Sequence, residues 1–262
     1  MNSRLSFLFL YIIIVFFSAG CKGPKGDIGP AGPSISDTSS TKNVYALKFL
    51  GSNGYVDIPW SPLLKPTTLT VELWVYVDTL YSEFTPLISA TGQDQRTMAD
   101  GYDVKFESGL FYLRLASASN TAQGYWAQYT PPLKQWIHLA CTMDGQTVTL
   151  FVNGQQLKQY VDTLKTWYGS SGLTLGMGYH STFGGYSFFH GMMDEIRIWN
   201  YARSASQIQQ SMMTKLSGTE SGLVGYWNFD NNVLAPLALD NSKYHNHGVI
   251  WGDTYLVTTT PF

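Results

Sequence analysis

Short runs in which apolar and polar residues alternate, broken by Gly, Asn, Asp and Pro, fill the chain from Val44 onward. That rhythm predicts many antiparallel strands. They are expected near 44–50, 54–58, 69–77, 86–90, 101–107, 109–116, 124–129, 136–143, 146–152, 156–160, 172–176, 189–199, 223–229 and 247–250. So many strands bury their apolar faces only as two sheets packed face to face, or as a closed barrel. Asp144-Gly145, Asn153-Gly154 and Ser108-Gly109 tolerate positive φ, so neighbouring strands join as hairpins and no βαβ crossover is needed. One helix is predicted from Ala205 to about Lys215. Ser204 is its N-cap, Gln207 completes a capping box, and Ile208 with Met212 gives it one apolar face.

The stretch from Gly191 to Trp199 joins a strand pattern to a conspicuous carboxylate. On simple alternation Met193, Glu195, Arg197 and Trp199 share one face, and Met192, Asp194, Ile196 and Ile198 share the other. Asp194 then stands in an otherwise apolar row, where a carboxylate needs a cation or backbone N–H partners.

Ahead of this domain the punctuation differs. Residues 1–20 carry Arg4, an apolar run from Phe7 to Phe17 and a small-residue ending, which reads as a cleaved signal peptide because a spanning helix needs roughly 20 apolar residues. Ser18-Ala19-Gly20-Cys21 resembles a bacterial lipobox, although Ser18 stands where Leu is commonest. The resemblance implies that Cys21 is the lipidated mature N-terminus, and Lys22 after it resembles outer-membrane sorting. The implied location is the bacterial cell envelope, as an outer-membrane lipoprotein that is surface-exposed or periplasmic and touches the membrane through its lipid only. Residues 21–42 continue with four Gly-X-Y triplets from Gly23 to Ser34 and a Ser/Thr-rich tail. Four triplets are few for a collagen helix, so this segment reads as an extended spacer before a domain at 43–262.

Composition narrows the function classes. Of 262 residues 44% are apolar and 15% aromatic, enough for one sizeable all-β domain, while only 13% are charged and the net charge is -2. No Lys/Arg run offers a landing surface for nucleic acid, which is excluded as an expected partner. Two cysteines, Cys21 and Cys141, make no disulfide framework, and Cys141 in its apolar run reads as a small buried hydrophobe.

Five ordered segments resemble the laminin-G-like, concanavalin A-like jelly-roll domains of bacterial surface proteins. They are Ala46 to Val56, Leu69 to Val75, Trp136 to Gly154 with its Phe-Val-Asn-Gly ending, Phe189 to Ser204, and Leu223 to Asp230 followed by Asp240-Asn241-Ser242 and Asn246-His247-Gly248. The resemblance implies an all-β, antiparallel two-sheet jelly-roll sandwich with one short helix. It also implies a structural calcium held by Asp194 with Gly51 and Asn53 on the N-terminal side, although Leu50 and Gly54 stand where related sequences often carry Asp or Asn. Catalysis finds little footing. Asp194 and Glu195 are adjacent on a strand and point apart, Asp103-x-Lys105-x-Glu107 carries a lysine in place of the glucanase middle acid, and no Gly-x-Ser-x-Gly elbow is present. The expectation is therefore no enzyme. His245-x-His247 is a weak metal-ligand spacing.

Aromatic surface remains as the candidate chemistry, because rings stack on the apolar faces of sugars or anchor protein partners. Gly178 to Tyr186 reads as a loop carrying Tyr179, Phe183 and Tyr186, and Trp126 with Tyr129, and Tyr168 beside Trp167, add further rings. The expected function is a cell-surface module that binds a glycan, with a protein adhesion domain as the alternative and a degenerate glycoside hydrolase as a distant third.

Overall fold

The computed structural model describes residues 43–81, 83–91, 101–116, 122–162, 166, 168–180, 184–231 and 236–262, all within a compact unit that runs from Ser40 to Phe262. The expected export signal, Cys21, the segment read as a Gly-X-Y spacer, Trp167 and Phe183 lie outside the described residues.

In chain order the strands begin with β1 (Ala46–Leu50), β2 (Tyr55–Ile58), β3 (Leu69–Val77), β4 (Thr85–Ser89), β5 (Tyr102–Glu107) and β6 (Leu110–Ala116). They continue with β7 (Ala122–Gln128), β8 (Trp136–Met143), β9 (Thr147–Val152), β10 (Gln155–Val161), β11 (Leu173–Leu175) and β12 (Met177–His180). The last are β13 (Gly185–Phe188), β14 (His190–Trp199), β15 (Leu223–Trp227), β16 (Leu237–Ala238), β17 (Gly248–Trp251) and β18 (Thr254–Val257), with helix α1 (Ala205–Ser211) between β14 and β15. The first sheet runs β10-β9-β8-β3-β14-β1-β18 with β15 also on β14, and the second runs β16-β17-β2-β11-β4-β5-β6-β7. All their strand pairs are antiparallel, as the hairpin chemistry predicts. The result is the two-sheet jelly-roll sandwich with one short helix.

Strands β3 and β8 keep the bounds that alternation predicts. Asn153-Gly154 and Ser108-Gly109 take positive φ at both positions, the geometry of a tight turn matched to strand twist. Asp144 closes its turn by accepting from the amides of Gln146 at 2.8 Å and Thr147 at 2.6 Å. The helix carries the predicted capping box but ends at Ser211, one turn short of the expected Lys215. Gly178 to Tyr186, read above as a loop, is instead mostly the β12–β13 ribbon. Its alternation is hidden because each strand is only four residues long and each contains a glycine, Gly178 and Gly185. Gly178 is obligatory there, since a Cβ would lie 2.9 Å from Pro86 and 3.0 Å from the Phe84 ring.

One face of each sheet fills the core. Val71, Leu73 and Val75 of β3, Ile137, Leu139 and Cys141 of β8, and Met193, Ile196 and Ile198 of β14 meet Val104, Phe106, Phe111 and Leu113 of the second sheet. This corrects the simple alternation on β14. A bulge falls between Asp194 and Arg197, with Glu195 at φ 50°, and shifts the phase by one residue. Met193 therefore shares the inner face with Ile196 and Ile198, and Asp194 leaves the apolar row for the outer side.

The outer face of the first sheet is closed by an ionic layer beneath α1. Glu72, fully buried, accepts from Arg203 Nη1 at 2.6 Å and Trp199 Nε1 at 2.9 Å. Arg197 donates to Glu195 at 2.5 Å and to the carbonyls of Ser211 at 3.0 Å and Thr214 at 2.7 Å, while Arg203 reaches the carbonyl of Gln207 at 2.7 Å. Two guanidinium groups thus take up the carbonyls at the end of a short helix and tie it to the strands. Ile208 completes the seal against Ala140 and Phe151.

His138 sits in this layer, 3.7 Å from Glu72, and burial lowers its pKa from 6.5 to about 4, with Arg197 and Arg203 adding to the shift and Glu72 opposing it. A base whose folded pKa is depressed contributes stability that is complete above 6.5 and is lost as pH falls toward 4, because only the unfolded chain takes up the proton in that window. The loss is up to about 3 kcal/mol. His138→Phe removes it: denaturant midpoints of parent and variant, compared between pH 7 and pH 4.5, should converge as the parent loses stability, and parallel curves refute the assignment.

Candidate functional site

One end of the sandwich, where the chain passes between sheets, is concave. A groove of about 600 Å³ is lined by Gly51 and Ser52, by Tyr81, Glu83 and Phe84, and by Tyr186, Ser187 and Phe188. The first pair forms the β1–β2 turn, the second group the β3–β4 connection, and the third belongs to β13. Gly51 takes φ 78°, and a Cβ on it would lie 2.7 Å from the Tyr81 hydroxyl, so the groove floor depends on a residue with no side chain. Thr85 Oγ1 accepts from the Tyr81 amide at 3.1 Å and steadies the connection.

The rings pair in two sets on and beside β13. Tyr186, 45% exposed, stands edge-to-face on Tyr179 at 5.5 Å, their strands being paired at these residues. Phe188 approaches Tyr55 at 6.4 Å, and Tyr55 stacks on Trp251, which is 50% exposed, at 6.4 Å and 15°. Burial raises the pKa of the Tyr55 phenol, with Asp57 and Tyr186 adding to it, so the hydroxyl stays protonated and able to donate at neutral pH. Rings beside hydroxyls and one carboxylate can hold a ligand with apolar faces and polar edges.

The predicted residues divide among several places. Tyr186 lines the groove, with Tyr179 half-buried behind it against Pro86, Asp103 and Lys105. Phe183 lies outside the described residues. Trp126 is exposed on β7, at the far edge of the second sheet, with Lys158 Nζ 5.0 Å from its ring and its carbonyl taken by the Tyr160 hydroxyl. Tyr129 and Tyr168, both partly buried, do not line this groove. Both pack against the core, and the Tyr168 hydroxyl donates to Pro66 at 2.9 Å. The sequence reading missed Tyr81, Glu83 and Phe84, whose signal is an acid between two rings in a connection flanked by strong strands.

The proposed metal set is also divided. Asp194 is fully buried, accepting from its neighbour's amide at 2.7 Å and from Asn43 Nδ2 at 2.7 Å. Gly51 borders His190, four strand positions away, and Asn53 accepts from the Asp253 amide at 2.9 Å. Neither reaches Asp194, because β1 and β14 run antiparallel and carry the β1–β2 turn to the far end of β14. The neighbour of Asp194 is Asn43, whose Oδ1 is buried without a hydrogen-bond partner. Burial pushes the Asp194 carboxyl well above its usual range, with Glu195 adding to the shift. One carboxylate and one orphaned amide oxygen are ligands of the kind calcium takes, and they supply two of the six or more oxygens it needs. No group of three His, Cys, Asp or Glu suited to a metal occurs among the described residues. His247 Nδ1 accepts from the Asp240 amide at 3.0 Å, which gives one ring of the His245-x-His247 pair a structural role.

The acids considered for catalysis are engaged. Glu195 accepts from Arg197 and from Tyr226 at 2.8 Å, Asp103 from Arg114 and from Ser89 at 2.7 Å, and Glu107 pairs with Lys105 at 2.5 Å.

The sequence profile of the concanavalin A-like lectin/glucanases superfamily matches residues 50–209, more than half of the chain. A Bacteroides ovatus protein proposed to bind carbohydrate superposes with a TM-score of 0.66 at 21% identity, over 83% of this chain and 60% of that one. A heptameric SAP-like pentraxin from Limulus polyphemus gives 0.53 at 13% identity, over 84% and 97% of the two chains. Domain 4 of AbnA, a GH43 extracellular arabinanase from Geobacillus stearothermophilus solved with arabinotriose, gives 0.50 at 22%, over 63% and 75%. The chain thus spans 60% of the Bacteroides protein's length, and at these identities the likeness is one of fold. No curated protein matches the sequence.

A cation at Asp194 and Asn43 would stabilise only the folded chain. Calcium at a hundredfold excess over Kd should then add about 2.7 kcal/mol, raising the melting temperature over that in chelator. Asp194→Asn should abolish the difference, and coincident curves for the parent would leave Asp194 as a hydrogen-bond acceptor alone.

Proposed function

From the chain's membership of the concanavalin A-like lectin/glucanases superfamily, we propose that it is a carbohydrate-binding module whose ligand lies in the groove lined by Tyr81, Glu83, Phe84 and Tyr186. The observation that carries the reading is the groove itself: aromatic side chains from two separate segments, Tyr81 with Phe84 and Tyr186 with Phe188, converge there with the hydroxyls of Ser52 and Ser187 and the Glu83 carboxylate. A sugar ring offers apolar C–H faces to aromatics and equatorial hydroxyls to such acceptors and donors. The carbohydrate chemistry named for the Bacteroides and Geobacillus structures supports the same reading. The module binds without catalysis in this reading, since the acids of β5 and β14 are held in structural pairs.

The tether completes the proposal. Signal cleavage before Cys21 and acylation of its thiol would place the domain at the bacterial envelope on a spacer of some twenty residues, with calcium at Asp194 as a structural ion. Cys21→Ser should move the protein from the detergent-extracted membrane fraction to the soluble one. Unchanged partitioning would remove the lipid anchor from the reading.

Tyr186→Ala is the sharpest test of the groove. An exposed ring can be trimmed at a stability change within about 0.5 kcal/mol, whereas emptying a core position such as Phe189 costs about 3–5 kcal/mol. On a glycan array and by calorimetry Tyr186→Ala should weaken binding at least tenfold with an unchanged melting temperature. Undiminished binding moves the site elsewhere, and a parent protein that binds no glycan but captures envelope proteins makes this an adhesion domain.

A further inference from the structure

We infer that the groove selects neutral glycans and rejects those carrying carboxylates, such as uronic or sialic acids. The inference rests on the carbohydrate reading above and concerns the charge of the ligand.

Among the described residues that line the groove, Glu83 carries the sole formal charge at neutral pH, and it is exposed. A second carboxylate stands at the rim, where Asp253 Oδ2 accepts from Ser52 Oγ at 2.9 Å, and Ser52 is itself a lining residue. The basic side chains nearest by connectivity are already committed. Lys48 pairs with Asp78, and His190, which borders Gly51, lies 3.9 Å from the same carboxylate. Lys105 Nζ sits 4.9 Å from the Phe84 ring but is held by Glu107 at 2.5 Å.

An acidic sugar needs a positive or strongly donating partner for its carboxylate, commonly a guanidinium fork. Here it meets a fixed negative charge, and like charges brought together across an interface are a common means of rejecting wrong partners. A neutral sugar meets the same Glu83 as a hydroxyl acceptor, and the hydrogen bond to a charged acceptor is the stronger kind. One residue therefore attracts one ligand class and repels the other.

The test compares matched pairs on one array: neutral plant, bacterial and mucin-type oligosaccharides, each beside its counterpart bearing a uronic or sialic acid. The purified protein should bind the neutral member of a pair at least tenfold more tightly, and the ratio should shrink as salt rises from 50 to 500 mM, because the rejection is Coulombic. Glu83→Gln should reduce the ratio, and Glu83→Lys should bring it to one or reverse it, at an unchanged melting temperature for an exposed residue. Merely misfolded variants would lose both members and would not gain the acidic one. Equal or tighter binding of acidic members by the parent, lost in Tyr186→Ala, keeps the groove as a glycan site and overturns the charge selection. Binding to neither class overturns the carbohydrate reading, and this inference with it.

Discussion

The buried carboxylate of Glu72 holds together the layer on which the rest of this domain depends. It lies on a central strand, on the side away from the core, and charges of opposite sign reach it from β14 and from the start of α1. Removing one partner from such a set costs about 3–5 kcal/mol, because the others are left charged in a medium that cannot solvate them. The set also decides what the domain presents. By bonding to the carbonyls of Gln207, Ser211 and Thr214 through Arg203 and Arg197, it lays the helix and the segment after it across the first sheet. The groove proposed to bind a ligand lies away from this layer, at an end of the sandwich.

Much of this was legible in the residues. Alternation found β3 and β8 to the residue, because both are long and carry aliphatic residues at alternate positions toward the core. The capping box of Ser204 and Gln207 was readable as chemistry and is formed. Two errors share a cause. The bulge at Glu195 and the ribbon at Tyr179 and Tyr186 are set by tertiary partners: Arg197 and Tyr226 for the buried acid, and Phe84 and Pro86 for the close-packed Gly178. A periodic reading assumes that the period persists, and a one-residue slip exchanges the faces.

The groove illustrates a different limit. Tyr186 was identifiable as a ring near glycines, but Tyr81, Glu83 and Ser52 come from connections well separated in sequence, each unremarkable by itself. They meet because β1–β2 and β3–β4 both cross between sheets at the end of the sandwich where β13 leads into β14. Likewise Asp194 looked partnered to Gly51 and Asn53 while antiparallel pairing of β1 with β14 places Asn43 beside it. Conjunctions of this kind follow from topology, and one chain's residue order does not announce them.

The two halves of the structure are connected through the distribution of cations. The three arginines among the described residues are all engaged: Arg197 and Arg203 under the helix, and Arg114 on Asp103. Lys48 and Lys215 neutralise Asp78 and Asp230, the latter carboxylate also binding the amides of Val44 and Tyr45 where the domain begins. In this near-neutral chain with few charged residues, these cations and Lys105 are committed to carboxylates of the fold. The rim of the groove is consequently built of rings, hydroxyls and unneutralised acid, so the ionic layer that closes one sheet also shapes the chemistry available at the end of the other.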